Sequence, residues 1–586
     1  MDTEKKIISF NEVFKLPIHY NEEKISIKKH IVNDLELIKT IDLSCNPIYS
    51  YAFNTTGDFS TTLTEQVAEY YTTDTNFLKD NQTLLRTYSS RQEEEERRNI
   101  DCANIACIWN EIKHDASFKD KYYYLDWPML EFMNKSDQFL QIMSIYNLAS
   151  PVVSFFVPFI IIIIPFFVLK LKGIEITIAG YVEVLKEVIK NNAIGRLFTE
   201  FNEVELNQKI YLLVSASFYV FSIYQNIMVC IRFNSNMHKI HSYFNDIRGY
   251  LERTVESMKN YLKYSSSLLT HEAFNENLRN KMNTLSAFRD KISFITEYKL
   301  SFTKIFEIGK ILKYFYEFYC DEQCHDAFLY SFGFHGYIGC IEGLQKNIQE
   351  RKVNFVDFNK KKNRNKKKGE KTSTFKKSYY AVLKDGKPIK NTINLDKNLI
   401  ITGPNASGKT TVLKSTLINI ILSQQFGCGF YDSARLTPFK YLHCYLNIPD
   451  TSGRDSLFQA EARRCKDILD IVDKNEDATH FCAFDELYSG TNPEEAISSA
   501  IAFMEYLVKY KGVKCLLTTH FNEICRKLEK NKNVHNCHMD VTKGDDNVIK
   551  YNYSLRDGVS TIRGGISVLS DMNYPKEIID NASKDV

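Results

Sequence analysis

The chain has 586 residues, of which 44% are hydrophobic and 25% charged, and its 14 cysteines fall at irregular spacing. This length exceeds what one hydrophobic core serves and predicts three or four domains, and the composition excludes collagen-like, disordered and disulfide-dense classes. A formal net charge of +3 does not mark the whole chain as a binder of polyanions.

The N-terminal MDTEKKIISF is charged where a secretory signal would be apolar, so the cysteines read as reduced thiols in a cytosolic or nuclear compartment. Residues 1–145 make an N-terminal region of mixed pattern without a sustained period. Within it, Glu93–Glu96 followed by Arg97 and Arg98 reads as a solvated helical face.

Pro151–Leu169 reads PVVSFFVPFIIIIIPFFVL and carries no charge. Its length approaches the ~20 residues that cross a hydrocarbon core as a helix. Pro158 and Pro165 argue against a plain soluble helix, where each would cost about 3 kcal/mol. In lipid, where water does not compete for backbone groups, they are better tolerated. A second uncharged run, Ile210–Ile231, lies between Lys209 and Arg232 and includes Gln225 and Asn226. Residues 146–234 therefore read as a transmembrane hairpin with spans 151–169 and 210–231; the alternative is a buried helical hairpin inside a soluble core.

Residues 235–358 place apolar side chains at three- and four-residue spacing, which predicts long amphipathic helices suited to a lever or bundle. Residues 359–378 form a lysine-rich linker, with ten Lys or Arg and one Glu between Asn359 and Lys377. It reads as a flexible insertion, as a nuclear-localisation or phosphate-contacting tether, or as a partner for anionic headgroups. Cys320, Cys324, His325 and Cys340 carry ligand-type atoms, but their helical, aromatic-rich setting reads as core.

From 379 to 586 short apolar runs alternate with helices. Leu399–Thr402, Phe481–Phe484 and Cys515–Thr518 read as buried parallel strands, each followed by a helix, which predicts a doubly wound α/β domain. After the first strand comes Gly403-Pro404-Asn405-Ala406-Ser407-Gly408-Lys409-Thr410, a G-x4-G-K-[ST] match opening a helix at Thr410-Thr411. Such a loop converges backbone N–H groups on phosphate at a helix N-terminus. Lys409 would reach the β- and γ-phosphates of ATP, and Thr410 would ligate Mg²⁺. The second strand ends in Asp485-Glu486, where Asp485 would hold the Mg²⁺ shell and Glu486 would orient or deprotonate the attacking water. The third ends at His520, placed to sense the γ-phosphate or polarise that water.

The segments ITGPNASGKTT, SLFQAEARRCKDIL, DELYSGTNPEEA, TTHFNEI, NVHNCHMDV and YPKEIIDNA occur in the order and spacing of the MutS ATPase domain, and residues of about 380–585 resemble that family. The resemblance implies a multidomain chain in which a mainly helical N-terminal and lever region precedes an α/β P-loop NTPase domain of the ABC/MutS type. It implies that two ATPase domains pair as a homodimer or heterodimer, with Ser456 reaching the γ-phosphate of the partner chain. It implies that Asn405 touches phosphate and that His538 packs near the adenine. Where the family often offers an aromatic residue to the base, this chain has Pro388 before Ile389-Lys390-Asn391. The family's mismatch reader uses an F-x-E motif; here the tripeptide Phe-Asn-Glu occurs at Phe10, Phe201, Phe274 and Phe521, in unrelated contexts, and reads as composition. The chain thus resembles MutS-related proteins that have membrane helices ahead of the ATPase and lack the mismatch-reading domain.

The expected function is Mg²⁺-dependent ATP hydrolysis at a composite dimer site, coupled to DNA binding of a mismatch-repair or recombination kind. The expected location is a membrane, with the ATPase domain facing the cytosol, where ATP is, and with nuclear targeting by the lysine-rich run as a further expectation. The alternative is an ABC-type membrane ATPase driving remodelling or transport without DNA, although no LSGGQ segment precedes Phe481.

Overall fold

A computed structural model describes residues 10–42, 44–55, 57–89, 102–173, 175, 177–190, 196–197, 201, 205–299, 302–358, 373–446, 448, 456–543, 549–560 and 574–584. The chain divides into two compact units, one built from residues 98–256 and 282–328, the other from 9–97, 257–281 and 329–586. The acidic and basic run at 93–98 and most of the lysine-rich linker, 359–372, lie outside the described residues.

The first unit is helical. Helix α1 (Asp137–Leu171) runs unbroken for 35 residues through Pro151, Pro158 and Pro165, and Ser136 caps it by accepting the Phe139 N–H. At 1.5 Å per residue it is about 50 Å long, well beyond the apolar run that it contains. The short helix α2 (Ile178–Lys190) follows, and then α3 (Leu206–Ser265), 60 residues long. The Ser154 carbonyl of α1 accepts the Tyr219 hydroxyl of α3 at 2.8 Å, and Asn226 Nδ2 donates to Ser154 Oγ at 2.5 Å. Nearer the start of α1, Cys230 Sγ lies 3.8 Å from the Leu148 carbonyl, so the two helices are antiparallel. Their apolar side chains are largely uncovered: Phe155 is 61%, Ile163 50% and Phe218 68% exposed. The base of α1 is fixed by Gln141, which accepts the Gly309 N–H at 2.9 Å and donates to the Ile305 carbonyl at 2.7 Å. Trp109, stacked on His325 and Phe328, anchors this unit's core, which is where His325 is spent.

The second unit holds the sheets. A small pair joins β1 (Lys24–Ser26) to β2 (Tyr70–Thr72). Next in the chain come β3 (Asn354–Phe358), β4 (Thr374–Ser378), β5 (Asn391–Asn394), β6 (Asn398–Thr402), β7 (Cys428–Gly429) and β8 (Ser433–Leu436). They are followed by β9 (Tyr441–Tyr445), β10 (His480–Asp485), β11 (Val513–Thr519), β12 (Val534–Lys543) and β13 (Ile549–Asp557). One sheet has the order β13-β12-β6-β11-β10-β9, parallel except for β13; the other has the order β5-β4-β8-β3-β7. The three expected parallel strands are β6, β10 and β11. The helices α4 (Lys409–Phe426), α5 (Leu457–Lys474), α6 (Pro493–Leu507) and α7 (Asn522–Leu528) connect the first sheet's strands. A core of Phe484, Met504, Leu507, Leu517 and Ile524 packs between sheet and helices. Asn492 caps α6, with Pro493 at its first position and Glu494 and Glu495 in its first turn.

Packing groups the chain differently from the linear division drawn from the sequence. Residues 374–378 are a strand pairing with β5 and β8 rather than the end of a linker, and 354–358 are a strand rather than lever helix. The described residues between 10 and 89 join the rest of the second unit through buried amides. Gln82 Nε2 donates to the carbonyls of Val356 and Gly427 at 2.7 and 2.8 Å. Asn81 Nδ2 donates to Gln425 O at 2.9 Å, while Gln425 Nε2 returns to the carbonyls of Val67 and Tyr70 at 2.6 and 2.9 Å. Helix Glu322–Gln349 meets this region so closely that a Cβ on Gly343 would lie 1.5 Å from Phe53 O.

Candidate functional site

The site lies at the C-terminal ends of the parallel strands, where open α/β sheets place their ligands. Strand β6, buried throughout, delivers the chain into the loop 403–408, and α4 begins at Lys409. Ala406 (φ +63°) and Gly408 (φ +92°) are left-handed on either side of Ser407, an alternation that forms anion-binding nests of backbone N–H groups. A Cβ on Gly408 would sit 3.2 Å from the Tyr553 ring, and one on Gly403 2.8 Å from Ser407 Oγ. The left-handed φ at both positions (Gly403 +156°, Gly408 +92°) favours glycine, and the tight contacts add to that preference.

Lys409 is 5% exposed, and its ammonium donates to the carbonyls of Gly403 and Pro404 at 2.9 and 3.1 Å. Burial holds its pKa below the ordinary value, against the opposing pull of Glu486, 4.0 Å away, and Asp485. Thr410 Oγ1 donates to Asp485 Oδ2 at 2.9 Å, and the Thr518 hydroxyl donates to Asp485 Oδ1. Glu486 has a left-handed backbone (φ +48°), its N–H bonds to Thr518 O at 3.0 Å, and its Oε1 lies 3.4 Å from His520 Nδ1. The His520 ring holds the Glu486 carboxyl below its usual range, burial opposing it and Lys409 assisting. Loop lysine, hydroxyl, acidic pair and strand-end histidine thus converge from three strands.

A cleft of about 730 Å³ opens beside them. Asn405, Ala406, Ser407, Gly408, Lys409, Thr410 and Thr411 line it together with Glu486, and its other lining residues include Tyr379, Tyr380, Pro388, Met539 and Tyr553. Ser407 Oγ is buried and has no hydrogen-bond partner among the described residues. An orphan hydroxyl, a buried ammonium hydrogen-bonded to two carbonyls and a threonine–aspartate oxygen pair fit a phosphate ester with a hard divalent cation.

His538, expected near the adenine, is not among the residues that line this cleft; its neighbour Met539 is, because alternate residues of a strand face opposite ways. Tyr553, from the adjoining β13, covers Gly408 instead, and Asn391 fixes it by donating to Tyr553 O at 3.0 Å and accepting the Leu555 N–H at 2.7 Å. The gap left by Pro388 is thus flanked by Tyr379, Tyr380 and Tyr553, which only the pairing of separate strands brings together. Thr518 also went unread in the sequence, although a hydroxyl one strand over from an aspartate is a recognisable partner. Ser456 lies outside the cleft, exposed at the N-cap of α5, where its side chain accepts the Gln459 N–H in a capping box. Among the described residues the side chains gathered within metal-ligand reach of one another are His535, Cys537 and Asp557, not the Cys320–Cys324–His325 set.

The MutS domain V family model matches residues 399–586. A DNA mismatch repair protein MutS of Leuconostoc citreum is 28% identical over 207 residues, covering 35% of this chain and 24% of that protein. The MutS of Persephonella marina is 28% identical over 214 residues, covering 35% and 24% respectively. An Endonuclease MutS2 of Clostridium botulinum is 28% identical over 190 residues, covering 32% and 23%. The chain therefore spans about a quarter of the length of the curated relatives it matches. The C-terminal third of this chain is a MutS-family domain.

Proposed function

We propose that the chain is a Mg²⁺-dependent ATPase of the P-loop NTPase class that works as a dimer and is anchored in a membrane with its ATPase domain in the cytosol. The observation that carries the reading is the 2.9 Å bond between Thr410 and Asp485 beside the buried Lys409. Thr410 and Asp485 would hold Mg²⁺, which when bound neutralises phosphate charge. Lys409 exchanges its two carbonyl bonds for phosphate oxygens. Glu486, kept ionised beside His520, takes the proton of the attacking water. Ser456 is exposed at a helix N-terminus, where its hydroxyl proton is free to meet the γ-phosphate of a partner chain.

Coupling of turnover to DNA is supported by the names of the relatives, a DNA mismatch repair protein and an endonuclease. A second reading, a membrane ATPase that acts without DNA, is favoured by the uncovered apolar faces of α1 and α3. Those faces fit lipid better than the buried hairpin that was the alternative to spanning. ATPase assays of the detergent-solubilised chain, with and without duplex, mismatched and branched DNA, separate the two. Stimulation by DNA that is lost at high salt supports the first, and indifference to every DNA supports the second.

A further inference from the structure

Two elements of the proposed ATPase site face different ways. Ser456 begins α5 outside the cleft, while Glu486 begins the segment 486–490 inside it. That segment is under backbone tension, with both Glu486 (φ +48°) and Tyr488 (φ +59°) left-handed, a conformation that non-glycine residues keep only when their surroundings enforce it. The enforcing contacts come largely from α5. Glu461, in the second turn of α5, is 2% exposed; it accepts the Ser489 hydroxyl at 2.9 Å through Oε1 and the Gly490 N–H at 3.1 Å through Oε2. Gly490 presses on the first turn, so that a Cβ there would lie 2.7 Å from Leu457 Cγ and 2.9 Å from the Phe458 N. The Phe458 ring packs against Tyr488 with centroids 5.8 Å apart, and the Tyr488 N–H is held by Tyr445 OH at 3.1 Å.

We propose that Glu461 is a positioning residue that couples the two composite sites of the dimer. It ties the helix whose cap reaches the partner's nucleotide to the segment that carries this chain's own general base. A buried carboxylate with both oxygens committed to one loop is a stiff connection, because breaking either bond strands a charge away from water. Displacement of the α5 N-terminus, as Ser456 engages, is thereby passed to residues 486–490. Glu486, at the end of that segment and already in a strained conformation, moves with it. Hydrolysis in one site then depends on occupancy of the other.

This inference rests on the ATPase reading, and one experiment separates their failures. Steady-state ATP hydrolysis is measured for the full-length chain, for Ser456→Ala, for Glu461→Gln and for the double variant, with Glu486→Gln as the blank. Rates are normalised to nucleotide bound per chain. Glu461→Gln leaves the KM for ATP within about twofold and lowers kcat about tenfold, the scale on which a slightly misplaced catalytic group acts. The losses from Ser456→Ala and Glu461→Gln do not multiply: the double variant falls to about the level of the worse single one, because both break the same connection. Ser489→Ala removes one of the two bonds and keeps the Gly490 N–H on the other oxygen, and it gives a smaller loss of the same kind; it decides the question if Glu461→Gln does not fold. Multiplying losses, or a kcat unchanged in both Glu461→Gln and Ser489→Ala, overturn the coupling while the wild-type turnover lost in Glu486→Gln still upholds the ATPase. Wild-type turnover equal to that of Glu486→Gln overturns both.

Discussion

Gln82 tests whether the N-terminal segment around helix Thr75–Thr87 is built into the second unit. Its Nε2 donates to Val356 O at 2.7 Å and to Gly427 O at 2.8 Å. Gln82→Met keeps length and volume and removes both donors. Gly427 O retains the Val356 N–H at 3.0 Å, so the penalty falls mainly on Val356 O. Losing two bonds at about 1 kcal/mol each, and leaving one buried acceptor short of a partner, sums to about 3 kcal/mol. At 1.4 kcal/mol per decade, local opening becomes roughly a hundredfold more frequent. Hydrogen exchange followed by mass spectrometry on the peptide containing the end of α4 and β7 reads this directly. A change of less than threefold there would refute the claim that these amides join the segments.

On the ATPase reading, Tyr553→Ala raises the KM for ATP about tenfold with kcat nearly unchanged, since aromatic stacking on a base contributes about 1–3 kcal/mol to binding; nucleotide titration checks it, and an unchanged KM removes Tyr553 from the base side. Burial pushes the Asp34 carboxyl up to about 6, with Arg464 opposing. A carboxyl raised from 3.8 in the folded state binds its proton more tightly there than when unfolded, so its cost to stability appears as pH rises from about 4 through 6. Asp34→Asn is therefore expected to stabilise the protein at pH 8, by up to about 3 kcal/mol, and to change little at pH 4; thermal unfolding at the two pH values measures the difference. The exposed apolar residues of α1 and α3 predict retention in the membrane fraction after alkaline carbonate washing, and release into the supernatant would contradict the anchoring.

The loop and the acidic pair were legible because their chemistry is local: strand, glycine turn and helix follow one another within a few residues. The three parallel strands were legible because buried strands read as unbroken apolar runs. What depends on partners distant in sequence was not. Asn81, Gln82, Gln424 and Gln425 are polar residues that no local pattern marks as core, yet they are buried and bridge segments more than 300 residues apart, as in Tyr49 OH to Gln425 Oε1. His538 and Met539 differ by one position, and only the phase of β12 decides which of them faces the loop. Tyr553 needs the β12–β13 register to be placed over Gly408, and the bonds of Glu461 to Ser489 and Gly490 depend on the packing of α5 against the segment after β10. The two apolar runs were recognised by composition, and both lie in helices that extend past them because the flanking polar residues continue the same backbone.

The central claim is that Lys409, Thr410, Asp485 and Glu486 form a Mg²⁺-dependent ATP-hydrolysing site. The direct measurement is phosphate release from ATP by the purified chain, in Mg²⁺ and in excess chelator, for wild type, Lys409→Ala and Glu486→Gln. Mg²⁺-dependent release is expected in the wild type and falls about 10²–10³-fold in either variant, with Glu486→Gln still binding nucleotide. Release that is equal in all three proteins, or indifferent to Mg²⁺, would contradict it.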